Sequence, residues 1–147
     1  MTTIDHEFEA KCAPEALWAI LSDLTAVSSY NPAVAKARVL GTRQGEVGAM
    51  RECDLLPKGK VSERVTVWEP GRALGLEVVE SDWPVRYMRW VTRIEPRGTG
   101  SRLTQRLEYK VKFGPLGELL DRLAMRRNIS VNVGKALSGL IARAEQA

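Results

Sequence analysis

The chain has 147 residues, 44% of them hydrophobic and 27% charged, which suits one water-facing globular domain with a real hydrophobic core. No apolar run approaches the ~20 residues of a membrane span, and the start, Met1 to Glu7, has neither the basic flank nor the apolar stretch of a signal peptide. The net charge of +4 is no nucleic-acid footprint, because Arg102, Arg106, Lys110 and Lys112 interleave with other residues as on a solvated sheet face, so no nucleic-acid partner is expected.

Residues 3–10 alternate, with Ile4, His6, Phe8 and Ala10 on one face and Asp5, Glu7 and Glu9 on the other, the mark of a half-buried strand. Ala13 to Asp23 reads as a short helix with Pro14 near its start and Leu17, Trp18, Ile20 and Leu21 available for the interior. Residues 24–32, closing on Tyr30-Asn31-Pro32, form a second short helix or turn stopped by the proline. Strand-like segments follow at 33–40, 47–56, 60–69, 73–80, 85–95 and 101–113. Turn residues separate them: Gly41 to Gly45, Pro57-Lys58-Gly59, Pro70-Gly71, Ser81 to Pro84 and Arg97 to Gly100.

From Gly114 onward the period changes. Pro115 suits a first helical position, and no proline follows it. Apolar residues recur at helical spacing in two sets: Leu116, Leu119, Leu120 and Leu123, then Ile129, Val133, Leu137, Leu140, Ile141 and Ala144. Arg126, Arg127 and Asn128 separate the sets. A helix over 114–144 is roughly 45 Å long, more than a core of this size needs. Strands joined by short turns make an antiparallel meander, and only this helix can cover one of its faces. The expected fold is α+β: a seven-stranded antiparallel curved sheet wrapped around a long C-terminal helix, with two short helices after the first strand, in one domain over 1–147.

That order of elements resembles the START-like (SRPBCC, helix-grip) superfamily, and several phrases resemble its polyketide cyclase/dehydrase branch. They are Pro14, Trp18 and Asp23 at their spacing, Tyr30-Asn31-Pro32, Val47-Gly48-Ala49-Met50-Arg51, Ser62-Glu63-Arg64-Val65, Trp68-Glu69-Pro70-Gly71-Arg72 and Gly100-Ser101-Arg102-Leu103-Thr104. Together they span nearly the whole chain. The resemblance implies a deep, mostly apolar cavity between sheet and helix for one lipophilic small molecule. It points to a fold, not to a reaction.

Alternation assigns the inner face of each strand. Over 60–69 it takes Val61, Glu63, Val65 and Val67, leaving Ser62, Arg64, Thr66 and Trp68 outside. There Trp68 would cap the outer sheet or mark a homodimer surface. Over 73–80 it takes Leu74, Leu76 and Val78; over 101–113 it takes Leu103, Gln105, Leu107, Tyr109, Val111 and Phe113. Strand 85–95 leaves two alternations open, one with Met88, Trp90 and Ile94 inward and one with Tyr87 and Arg89 inward; the first is favoured. Leu76, Val78, Met88, Trp90 and Tyr109 are the expected lining of the cavity.

Glu63 is the most informative position, because it interrupts a valine face and an unpartnered buried carboxylate is costly. Arg51 is its expected partner, sharing a face with Val47, Ala49 and Cys53 on the neighbouring strand. The pair reads either as a polar anchor for a ligand hydroxyl, carbonyl or carboxylate, or as an ion pair bracing the sheet. Both readings stay open. His6, the single histidine, is with Glu63 a candidate general acid or base, although a lone strand histidine is more often a structural group. Tyr30 is placed to close one end of the cavity, and Trp83 to stand at its mouth. Asn128 and Asn132, one helical turn apart, would be a second anchor if they face the sheet. Trp18 reads as core, and Arg126 and Arg127 as surface.

Cys12 and Cys53 have no metal-ligand spacing, so free thiols, no metal and no cofactor are expected, with a cytoplasmic address by default. The leading functional expectation is binding of a lipophilic small molecule such as a lipid, polyketide or aromatic metabolite. The alternative is a cyclase or dehydratase that shapes a reactive poly-ketone chain and moves a proton through Glu63, Arg51, His6 or a tyrosine. A third is an assembly or membrane-associated accessory protein using basic surface and exposed tryptophans.

Overall fold

The computed structural model describes residues 1–146. Its strands are β1 (Thr2–Ala10), β2 (Val34–Leu40), β3 (Met50–Leu55), β4 (Lys60–Glu69), β5 (Ala73–Ser81), β6 (Val85–Arg97) and β7 (Gly100–Val111). They form one seven-stranded antiparallel sheet in the order β1-β7-β6-β5-β4-β3-β2. Helix α1 (Pro14–Leu21) and a 3-10 turn (Leu24–Ser29) cross from β1 to the far edge at β2. Asp23 caps that turn, accepting from the Thr25 amide over 3.2 Å. After β7 the chain is helical from Gly114 to Gln146, as α2 (Gly114–Leu120), a π-helical turn (Asp121–Met125) and α3 (Arg126–Gln146).

Bulges bend the sheet around α3. The register shifts between Val34 and Lys36, between Ser62 and Glu63, between Val65 and Val67, and between Val85 and Tyr87, and each extra residue adds local twist. The shift at Val65 to Val67 also reverses the alternation expected of β4. Trp68 therefore turns inward, edge-on to Trp18 with 5.1 Å between ring centroids, and Val67 loses its inner place. Trp68 thus does not cap the outer face of the sheet.

The second half of α3 packs solidly. Leu137, Leu140, Ile141 and Ala144 meet Leu17 and Leu21 of α1 and Leu74, Ile94 and Leu103 of the sheet, all buried. On β6 the favoured alternation holds: Met88, Thr92 and Ile94 are buried, while Arg89 lies over Tyr87 outside and pairs with Glu108. The wet face of β1 and β7 is a ladder of charge pairs, Arg106 with Asp5 and Arg102 with Glu7, each at 2.9 Å. Such exposed pairs contribute little singly.

Three expectations fail at the ends of elements. Val47 precedes β3 and is exposed rather than sharing the face of Ala49 and Arg51. Phe113 is also exposed, because β7 stops at Val111 and the chain turns through left-handed backbone at Phe113 (φ 71°) and Gly114 (φ 54°). Strand alternation ends where that turn begins. Finally, Leu116, Leu119, Leu120 and Leu123 do not cover the sheet; they face solvent, and the buried residues of that stretch are Gly117 and Asp121.

Candidate functional site

Between the sheet and the first half of α3 lies a cavity of about 440 Å³, within the range of small-molecule sites. It exists because the residues facing it are unevenly sized. Leu137 and Leu140 fill the far end, while Asn128, Ile129, Asn132, Val133 and Ala136 leave the near half of the groove open. Exposed residues Leu56, Lys58, Pro84 and Asn128 also line the space. The mouth therefore opens between the β3–β4 turn, the β5–β6 turn and the start of α3.

Nine expected residues line this cavity: Arg51, Glu63, Tyr30, Leu76, Met88, Trp90, Trp83, Asn128 and Asn132. Arg51 and Glu63 are cross-strand partners on β3 and β4. Arg51 donates from Nε to Glu63 Oε1 over 2.8 Å and from Nη1 to the Leu24 carbonyl over 3.1 Å. Both side chains are almost fully buried. Cys53 Sγ donates to the same Glu63 oxygen over 3.5 Å, and Tyr30 lines the same cavity as Arg51. A guanidinium has more N–H donors than these partners use, so Arg51 retains donors for a ligand.

The electrostatics follow from burial around one ion pair. Burial raises the Tyr30 phenol above its ordinary value, against the opposing pull of Arg51. Burial is the largest single influence and works against the Arg51 charge, but its neighbours, Glu63 foremost, together outweigh it and hold the guanidinium firmly protonated. Burial and the Glu63 charge push the Cys53 thiol up to about 12, so Cys53 is a neutral donor and not a nucleophile at neutral pH.

Three expected residues lie off the cavity wall. Val78 packs behind it, between the Tyr109 side of the sheet and the Cys53–Val61 side. Tyr109 is fully buried and donates its hydroxyl to Asp121. His6 points inward but under α3, with Nε2 3.1 Å from the Ser130 carbonyl oxygen and its ring beside Gly134. A carbonyl only accepts, so Nε2 carries the proton. His6 thus stands apart from Glu63, and the two do not converge.

A second polar group was not singled out in advance. Gln105 Nε2 donates to Thr92 Oγ1 over 2.9 Å, and both residues line the cavity. The signal was present: each is a polar residue at an inward strand position between large apolar ones, the same interruption that marks Glu63. Among the described residues no cluster of His, Cys, Asp and Glu is placed to hold a metal ion, and no helix is long and apolar enough to cross a membrane.

A curved antiparallel sheet gripping a C-terminal helix over an apolar hollow defines a helix-grip protein. Residues 1–145 match the family described as polyketide cyclase / dehydrase and lipid transport, and the chain belongs to it. Among solved structures it is similar to TTHA0849 of Thermus thermophilus, with a TM-score of 0.83 and 19% identity over 99% of this chain and 98% of that one. It is also similar to the Zhui aromatase/cyclase of a Streptomyces species, with a TM-score of 0.78 and 14% identity over 99% and 94%. XoxI of Bacillus cereus follows with a TM-score of 0.76 and 14% identity over 97% and 94%. At these identities the likeness establishes the fold alone. No curated protein matches the chain.

Proposed function

We propose that the chain binds one lipophilic small molecule with a polar tip, as a carrier or sensor. The observation that carries this reading is a satisfied ion pair inside an otherwise apolar cavity: Arg51 and Glu63, 2.8 Å apart, with spare guanidinium donors. The apolar body of the ligand would lie against Leu76, Met88, Trp90 and Ile129, and its hydroxyl, carbonyl or carboxylate would reach Arg51. Thr92–Gln105 and Asn128–Asn132 supply further polar contacts along the wall. Affinity then comes from apolar burial and orientation from a few fixed donors.

One observation favours a cyclase reading as well. Tyr30 and Arg51 line one cavity, so a fixed cation and a phenol share the same space. The Glu63 carboxylate would take a proton from a methylene of a poly-ketone chain, Arg51 would stabilise the enolate oxygen, and Tyr30, held protonated by burial, would give its proton to the oxygen of the second carbonyl as the enolate carbon attacks it. Binding ranks first because the lone histidine is committed to Ser130 and Gly134 and does not line the cavity.

Native mass spectrometry of the protein purified from its own host tests the proposal directly. A single adduct of lipophilic mass, displaced on unfolding and weakened by Glu63→Gln but not by Glu7→Gln, is the expected result. A protein that stays empty and binds no apolar probe sinks it. A product mass different from an added poly-ketone substrate would move the assignment to the enzyme.

A further inference from the structure

The helical stretch beside the cavity mouth wears its leucines outside. Its seated face is small and fixed. A Cβ on Gly117 would lie 1.8 Å from the Lys112 carbonyl oxygen, so α2 rests directly on the end of β7 there. Asp121, on the same face, is held by the hydroxyls of Tyr109 and Thr2. With that face committed, helical geometry sends Leu116, Leu119, Leu120 and Leu123 the other way. They are 64, 52, 48 and 72% exposed, and Phe113 extends the ridge at 66%. Exposed apolar side chains are ordinary when scattered, but a contiguous ridge of this size marks an interaction surface.

The charges around the ridge select its occupant. Among the described residues Lys112, Arg122 and Arg127 flank it as free charges, with Arg126 beside them paired to Asp121 over 3.3 Å; Glu118 is the exposed acid of the stretch, since Asp121 is buried and bonded. We propose that this leucine ridge with its basic rim docks on an anionic lipid surface. Apolar side chains enter the acyl boundary while arginines stay at the headgroups. A second copy fits less well: a two-fold dimer sets the same patch against itself and so brings together two rims of the same net positive charge. Met125, two residues beyond Leu123, already lines the cavity, so docking holds the mouth against the bilayer. The inference needs only the ridge and its charges, and stands whatever the cavity binds.

The test is co-sedimentation of the full chain with vesicles of phosphatidylcholine containing about 30% phosphatidylglycerol, against phosphatidylcholine alone. Binding to the anionic vesicles is expected, weakening in roughly 0.5 M salt. The double variant Leu119→Glu/Leu123→Glu should lose at least about tenfold in apparent affinity, and Arg122→Glu/Arg127→Glu should lose a comparable amount. Both pairs are exposed, so unchanged circular dichroism and Tm confirm folding. The inference is overturned if the chain ignores anionic vesicles, or if the leucine variant binds them as the native chain does. It is equally overturned if light scattering finds a dimer that the leucine variant dissolves while vesicle binding is absent.

Discussion

Arg51 Nε reaches Glu63 Oε1 over 2.8 Å with both side chains buried, in a cavity whose other walls are mostly apolar. Removing one partner leaves the other charged and unpaired, which typically costs about 3–5 kcal/mol. Replacing both by apolar residues of similar volume is often near neutral. Glu63→Gln should therefore lower the urea midpoint sharply, while Arg51→Met/Glu63→Leu should recover most of the loss. Binding of anilinonaphthalene sulfonate, an apolar probe with an anionic tip, separates bracing from anchoring. The double variant should be stable yet bind the probe weakly; native affinity in that variant would reduce the pair to a brace.

The second buried carboxylate works differently. Asp121 accepts from Tyr109, from Thr2 over 2.7 Å and from Arg126 over 3.3 Å. Burial alone would raise its pKa, but these donors outweigh it and hold the carboxyl below its ordinary value. A depressed carboxylate contributes stability that is complete above its unfolded value, about 4, and is lost as pH falls through the lower folded value. Tyr109 behaves in the opposite sense: burial and the Asp121 bond push its phenol up to about 12. Its contribution is complete below the unfolded value of about 10 and is lost as pH rises toward the folded one. Urea midpoints followed from pH 3 to 11 (roughly the window these values define) should fall at both ends. Asp121→Asn should flatten the acid limb; an unchanged acid limb would remove Asp121 as its source.

Trp18 and Trp68 form an edge-to-face pair packed against the main hydrophobic core. Truncating a large aromatic in a packed cluster costs on the order of 3 kcal/mol. Trp68→Ala should lower stability by about that amount and change the near-ultraviolet circular dichroism. Trp83→Ala, at the mouth but partly packed on the core, should cost less stability than Trp68→Ala and weaken probe binding as well. Equal stability losses would place Trp83 in the core.

The pair also shows where sequence reading stops. Period-two alternation located Glu63, Arg51, Met88 and Trp90 correctly, because one buried face fixes strand register. It misplaced Trp68 because a bulge adds a residue without leaving any mark in composition. It misplaced Phe113 because a left-handed turn ends β7 two residues early. The helix after Gly114 was legible in its period, but its buried face was not. Leucine spacing pointed inward, whereas the close approach at Gly117 and the bonds to Asp121 decide the rotation. Those are tertiary contacts, and no local pattern encodes them. The Thr92–Gln105 bond lay in plain view as polar interruptions, yet its significance depends on the two strands being neighbours.

Two glycines of α3 give the sharpest test of how the helix sits. A Cβ on Gly139 would come 2.3 Å from the Tyr30 carbonyl oxygen, a backbone atom that cannot swing aside. A Cβ on Gly134 would meet nothing closer than His6 Nε2 at 3.7 Å, an ordinary contact. Alanine stabilises a helix interior over glycine by about 1 kcal/mol, so Gly134→Ala should raise Tm. Gly139→Ala must push α3 away from the turn that carries Tyr30, at a cost of roughly 1–3 kcal/mol. Because Tyr30 lines the cavity, only Gly139→Ala should also weaken probe binding. If both variants gain stability and bind alike, α3 does not rest on Tyr30, and the closed end of the cavity is wrongly placed.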